Sequence, residues 1–292
     1  MSQLIEPLLY PGENLLLYGA TNAGKTTQLY KLIKAMASKE KPALVYVTDR
    51  GGTITILRKL EREGLCKIIQ YRDSDRFMWI DNAVQGLELV EGKWVQLDPQ
   101  KYCLIAFESL SGCGDLVVNA LGQQAAAGFN VGGEPAPSLK IQADGKSIQI
   151  PSNSGTHYFV GQRWLLEKVW QSQLLPVPVV WTAHEEVVGL EKKDRQGGRE
   201  IETAASLGIR GVIGPQVCGQ ALTKDLPKYF VYTFRIVKIP AEGTNRTVLY
   251  TGRHKDGSLE GLGNARCEVI LKQDPADVVS ILQAIRQKLN AL

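Results

Sequence analysis

The sequence predicts an α/β fold, a mostly parallel central sheet flanked by helices with an antiparallel hairpin at one edge. Three observations carry that prediction. Short apolar runs alternate with helical stretches through the first half of the chain, which implies right-handed crossovers between parallel strands. One of these runs, Leu15-Leu16-Leu17-Tyr18, leads into G-x-x-x-x-G-K-T at Gly19–Thr26 and at once into a helix. Two β-rich runs near the end, 229–239 and 247–251, are joined by Glu242-Gly243-Thr244-Asn245 and read as a hairpin.

The strand–loop–helix unit is the context in which the Walker A pattern acquires a mechanism. Gly19 and Gly24 permit backbone conformations that a Cβ forbids, so the N–H groups of Ala20, Thr21, Asn22 and Ala23 can turn inward around phosphate oxygens. The helix through Thr26 and Thr27 adds its positive N-terminal end. Lys25 would reach the β- and γ-phosphates and the Thr26 hydroxyl would ligate Mg²⁺. Lys25 is expected to face solvent when the loop holds nothing. The residues Gly19–Thr27 therefore predict a nucleoside triphosphate site.

The rest follows in chain order. Pro7, Pro11 and Gly12 break any helix before the first strand, Asn14–Gly19, and the first helix runs from Gly24 to Ser38. Ala43–Thr48 is a buried type of strand ending in Asp49-Arg50-Gly51-Gly52, followed by a helix from Thr53 to about Glu63 and a strand at 67–71. The stretch 75–90 reads as an irregular helix. Tyr102–Phe107 is an apolar run suited to a strand buried on both faces, and it ends in Glu108. A carboxylate there has two readings: the Walker B position, or a cap on the following helix. A small-residue helix spans 110–128, and 138–150 reads as a hairpin about Asp144-Gly145. An amphipathic helix at 158–175 stops at Pro176 and Pro178, and Val179–Ala183 is a strand with His184 at its polar end. Ile213-Gly214-Pro215 reads as the opening of a helical segment reaching about Leu226, and 274–292 as an amphipathic helix with Pro275 in its first turn.

Composition narrows the class. The chain has 292 residues, 44% hydrophobic and 22% charged, and no apolar run of the ~18 residues a membrane helix needs. Met1 to Pro11 lacks the order of a secretion signal. Cys66, Cys103, Cys113, Cys218 and Cys267 are scattered without a C-x-x-C pair, which predicts buried thiols in a reducing cytoplasm. A net charge of +4 tolerates nucleic acid as a partner without demanding it.

Walker A, a second strand ending in an acid, Walker B, a strand ending in His and an edge hairpin with basic residues occur here in an order that resembles RecA-like P-loop NTPases, especially the core-only versions found in phages. The resemblance covers about 12–257 and rests on Gly19–Thr26, Ala43–Gly52, Leu104–Ser109 and Val179–His184, with Gly214-Pro215 and Leu226–Phe230 beside them. It implies one core over 1–273 with insertions at about 129–157 and 186–212, then a C-terminal helix at 274–292. It further implies a phage-encoded ATPase in the host cytoplasm that uses ATP and Mg²⁺ and acts on DNA in recombination, annealing or replication. Residue by residue, it implies that Thr26 and Glu108 serve the metal, Asp49 aligns the attacking water and His184 senses the γ-phosphate. Arg253 and Lys255, flanking His254 in the basic tip at 250–257 that closes the edge hairpin, would reach a neighbouring subunit's phosphate in a homo-oligomeric ring or filament. The two insertions match loops that contact single-stranded DNA, although neither carries a set of aromatic residues for stacking bases. A second reading keeps the nucleotide and makes the chain a phage structural, assembly or packaging factor. A third, a kinase on the same scaffold, lacks a lid with several arginines.

Overall fold

The computed structural model describes residues 7–48, 54–70, 78–126, 138–143, 146–151, 155–188, 211–218, 220–241, 244–256, 259–265 and 277–291. The first half alternates as the sequence predicts: β1 (Asn14–Gly19), α1 (Lys25–Met36), β2 (Ala43–Val47), α2 (Ile54–Arg62), β3 (Cys66–Gln70) and α3 (Met78–Val84). A hairpin of β4 (Leu87–Val90) and β5 (Lys93–Gln96) precedes β6 (Ile105–Glu108), α4 (Leu110–Ala126), the hairpin β7 (Ser138–Ala143) and β8 (Lys146–Pro151), and α5 (Gly155–Ser172). The remainder comprises β9 (Val179–Val188), β10 (Gly211–Pro215), α6 (Gln220–Asp225), β11 (Tyr232–Ala241), β12 (Thr244–Tyr250), β13 (His254–Asp256), β14 (Leu259–Gly261), β15 (Asn264–Ala265) and α7 (Val278–Leu289).

The main sheet runs β3-β2-β6-β9-β1-β11-β12, parallel from β3 to β11 and antiparallel at the β11–β12 edge hairpin. This is the helix-flanked, mostly parallel sheet expected. Alternation along the strands divides the core into two layers. Leu16, Tyr18, Tyr46, Phe107 and Trp181 face α4 and α5, meeting Leu110, Cys113, Leu165 and Val169. Leu15, Leu17, Val45, Ala106 and Val180 face the other way, against Leu29, Leu32 and Ile33 of α1, Leu57 and Leu60 of α2, and Ile281, Leu282 and Ile285 of α7. Strands buried on both faces have no polar side to show, so they read as continuous apolar runs. The scattered thiols fit this interior: Cys66, Cys113 and Cys218 are buried, and burial pushes each up to about 12. Among the described residues no helix is long and apolar enough to cross a membrane.

Four expectations need correction. The helix read over 75–90 is present only at Met78–Val84, and the β4–β5 hairpin takes over where a helix was expected. Its turn places Glu91 at φ 49° and Gly92 at φ 80°, and glutamate is not a residue that announces a left-handed position. Glu88 is buried on that hairpin because the Tyr102 hydroxyl donates to it, which inverts the usual polarity alternation. Second, Gly211–Pro215 is a strand, antiparallel to the far half of β9, and the helix begins only at Gln220. Third, Arg253 and Lys255 do not close the β11–β12 hairpin. Gly252 packs backbone to backbone on Gly263, where an added Cβ would meet the Gly252 carbonyl oxygen at 2.6 Å, and the chain turns away into β13–β14. Finally, α7 starts after Asp277, which caps it through Ser280 N–H at 2.9 Å, rather than around Pro275, which lies outside the described residues.

The centre of the upper layer is an aromatic stack. Phe107 lies 4.1 Å from Trp181 and 5.3 Å from Tyr46, centroid to centroid, with both pairs nearly parallel. Phe107→Ala should cost roughly 3–5 kcal/mol, since it opens a cavity between two rings held on neighbouring strands. Urea unfolding would register this as a lower midpoint at an unchanged slope; a midpoint within error of the parent would contradict this placement of the core.

Candidate nucleotide site

The parallel register assembles the site at the carboxyl ends of the strands. Gly19 pairs with His184 on one side and Ile236 on the other, while Val47 pairs with Glu108. Gly19 is indispensable here for a reason separate from phosphate binding: a Cβ would lie 2.3 Å from the Ile236 carbonyl oxygen. The loop then climbs through Asn22 at φ 65° and Gly24 at φ 104° before α1 begins at Lys25. No side chain caps α1. Its N-terminal amides thus remain directed at the loop, as an anion site requires. Ala20, Thr21, Asn22 and Thr27 are exposed on this rim, while Ala23 is buried beneath it.

Lys25 does not face solvent, contrary to expectation. It is 7% exposed, and its ammonium donates to the carbonyl oxygens of Gly19 and Ala20, each at 3.0 Å. A buried cation demands such acceptors, and the loop's own carbonyls supply them. The same Nζ lies 3.3 Å from His184 Nδ1. An ammonium is only a donor, so Nδ1 must be the accepting nitrogen, and the neutral ring carries its proton on Nε2.

Glu108 and Thr26 meet as well, the hydroxyl donating to Oε1 at 2.9 Å. Glu108 is 1% exposed and reaches the start of α1, while at the start of α4 it is the Ser109 hydroxyl that accepts from Gly112 N–H, at 3.2 Å. The Glu108–Ser109 peptide is cis. The carboxylate's strand is tied to β2 by Thr48: its N–H donates to the Glu108 carbonyl at 2.6 Å, and its hydroxyl donates to the Ser109 carbonyl at 2.7 Å and accepts from Ser109 N–H at 2.9 Å. Gly112 makes room for this clasp, since a Cβ there would sit 2.8 Å from the Thr48 hydroxyl. A hydroxyl beside a carboxylate and below a lysine is an oxygen donor set that suits Mg²⁺ shared with phosphate.

The sheet therefore brings Lys25, Thr26, Glu108 and His184 together. Asp49 lies outside the described residues; the strand leading to it ends beside Glu108. Arg253 is exposed just before β13, and Lys255 is in β13 opposite Glu260, at the end of a branch that runs β9-β10-β14-β13. Of the stretches assigned to DNA contact, 129–157 is described only as the β7–β8 hairpin and the start of α5, and 189–210 lies outside the described residues. Sequence reasoning missed Thr48, Ser111 and Gln216. The Ser111 hydroxyl accepts from His184 N–H at 2.9 Å and donates to the Gln216 carbonyl at 2.8 Å, and Gln216 N–H donates to the His184 carbonyl at 2.7 Å. Their only signal is polarity beside strand ends, which is common in solvated loops. On the reverse face of the sheet, Arg235 and Glu185 pair at 3.1 Å beside Tyr18, whose hydroxyl is raised by burial and donates to the Leu262 and Ile213 carbonyls.

Gly19→Ala should displace β11 from β1, lowering the unfolding midpoint as well as abolishing triphosphate binding, whereas a glycine needed only for the ligand would leave the midpoint alone. No protein-family model matches the chain, and no curated protein sequence matches it. Among solved structures it is similar to a crystal structure of the RadB recombinase, at 14% identity and a TM-score of 0.41 over 82% of this chain and 81% of that one.

Proposed function

We propose that this chain is a RecA-like ATPase that binds and hydrolyses ATP and acts on DNA in recombination, annealing or replication, as phage core-only members do. The observation that carries the reading is the contact set Lys25–His184 and Thr26–Glu108 at the mouth of a glycine-bounded loop. Four side chains of complementary chemistry, two from the start of α1 and one each from β6 and β9, meet there. Packing alone does not call for such a meeting, because buried charge is costly unless it is used.

Each residue has a task in that reading. The loop amides and the start of α1 receive the phosphates. Lys25 exchanges the carbonyls of Gly19 and Ala20 for the β- and γ-phosphate oxygens. His184, with its proton on Nε2, has a donor to offer the γ-phosphate. Thr26 and Glu108 would hold Mg²⁺, which would supply positive charge beside the phosphoryl oxygens. Asp49, at the end of β2, would align the attacking water. Single-stranded DNA would be met by 129–157 and 186–212.

Turnover measured with and without single-stranded DNA, over a range of salt, tests the assignment. Lys25→Ala should lose about a hundredfold or more in turnover, and Glu108→Gln should lose turnover while retaining most nucleotide affinity. DNA stimulation should fade steeply as salt rises. Parental turnover in Lys25→Ala would remove the site; turnover indifferent to DNA at every salt would favour an assembly or packaging role.

The nucleotide rim is exposed at Ala20–Asn22, so a neighbouring subunit could complete it, with Arg253 and Lys255 as donors of positive charge. Such a site in trans requires a head-to-tail contact and hence a ring or helical homo-oligomer. Arg253→Ala/Lys255→Ala subunits and Lys25→Ala subunits should each be inactive alone and recover turnover when mixed. A wild type that hydrolyses ATP at full rate as a monomer would exclude this arrangement.

A further inference from the structure

We propose that Ser111 is a positioning residue that holds His184 against Lys25 and makes triphosphate sensing depend on the strand that carries Glu108. The inference rests on the nucleotide-site reading above. It comes from a gap in the hydrogen-bond ladder on one side of β9. β6 pairs with β9 from Ile105↔Val179 to Phe107↔Trp181 and then ends, as the chain turns through Glu108 and Ser109 into α4. β10 pairs with β9 only from Pro215↔Glu185 onward. His184 falls in the interval, with its N–H and C=O directed to the side where β6 has stopped and β10 has not yet started.

The Ser111 hydroxyl and Gln216 fill that interval. Ser111 Oγ accepts the His184 N–H at 2.9 Å and donates to the Gln216 carbonyl at 2.8 Å; Gln216 N–H closes the ring on the His184 carbonyl at 2.7 Å. A serine in a helix usually bonds back to its own helix or points to water. Ser111, only 5% exposed in the first turn of α4, instead reaches out of the helix to β9 and to the residue that follows β10. It lies three residues after Glu108, so the hydroxyl ties the main chain of the sensor to the turn that follows the carboxylate. Side-chain direction on a strand is set by the main chain, and His184 Nδ1 meets Lys25 at 3.3 Å only while that main chain keeps its height. Movement of Glu108 and α4 is thereby transmitted to His184, and the reverse.

The test is the preference for triphosphate over diphosphate, read as the ratio of affinities for Mg²⁺ complexes of a non-hydrolysable ATP analogue and of ADP. Thermal melting is recorded beside it. Ser111→Ala and His184→Ala should each lower the preference by about tenfold through the triphosphate arm alone, and the double variant should lower it no further. Ser111→Cys, close in volume but a weak hydrogen-bonding group, should resemble Ser111→Ala, and Ser111→Thr, which keeps the hydroxyl, should restore the preference. The proposal is overturned if Ser111→Ala and Ser111→Cys keep the parental preference, if the two single effects multiply in the double variant, or if both nucleotides weaken equally while melting falls. A wild type that binds neither nucleotide overturns the site reading itself. Nucleotide binding with preference untouched by Ser111 overturns this inference alone.

Discussion

The contact between Gly19 and the Ile236 carbonyl fixes the height at which three parallel strands meet, and the site depends on that height. β1 enters between β9 and β11, and the residue at its end has to pass under a carbonyl oxygen with no space for a side chain. Only glycine allows it. Once Gly19 is seated, its partner across the ladder is His184, and the loop that follows begins beside that histidine. Glu108 reaches the same edge through an independent register, β2 against β6 at Val47↔Glu108, with Thr48 holding the turn beyond. The geometry of the chemical groups is thus a consequence of strand register, which a slip of one residue would destroy by reversing every side chain.

Electrostatics then explains the resting arrangement of Lys25. An ammonium removed from water at a helix N-terminus suffers twice, from desolvation and from the positive end of the helix. Two loop carbonyls and the His184 lone pair offset part of that cost. The same place that is poor for a cation is good for a phosphate. An anion arriving there gains the loop amides, the helix end and the lysine together. The Lys25 contacts with Gly19 and Ala20 are the ones it would give up, while the loop amides need no new orientation. Preorganisation of this kind is the main source of charge stabilisation in enzyme sites.

Much of this was legible in the chain. Asn14–Gly19 is a strand with the boundaries read from Leu15–Tyr18 and the glycine, and the two-layer core follows from runs too apolar to alternate. That Lys25, Thr26, Glu108 and His184 lie together was foreshadowed, because the motif joins the first two and a charge at the end of an apolar strand needs a reason. What escaped depends on tertiary partners. Gly211–Pro215 has a glycine, a glycine-proline pair and only two aliphatic residues, and it becomes a strand because the overhanging half of β9 offers an edge. The β4–β5 hairpin hides behind a turn with glutamate at positive φ and a buried Glu88. Arg253 and Lys255 were placed on the wrong hairpin because nothing in Thr251-Gly252 reveals that Gly263 will lie against it. Ser111 was invisible for a similar reason: a hydroxyl that bridges a ladder gap looks, in sequence, like any serine at the start of a helix.

The last helix belongs to the same economy of constraints. α7 lies against α1, and Gln28, buried within one turn of Thr26, accepts the Val278 N–H at 3.0 Å through its side-chain oxygen. Lys31 and Asp277 face each other at 3.8 Å at the same junction; burial pushes the Asp277 carboxyl up, but hydrogen bonds from Ser280 and the charge of Lys31 together outweigh it and hold the group below its usual range. At the other end of α7, Arg286 meets the Leu8 carbonyl and the Glu13 carboxylate and lies 4.5 Å over the Tyr10 ring. Glu13 directly precedes β1, so α7 holds both the strand that enters the Gly19–Gly24 loop and the helix that leaves it. Helix and strand are clamped on either side of a loop whose residues Ala20–Asn22 are exposed. Under the proposed function, a phosphate would meet a strand and a helix that are both tied to α7, and the adjustment it demands would fall on the short loop and on the Lys25 side chain between them.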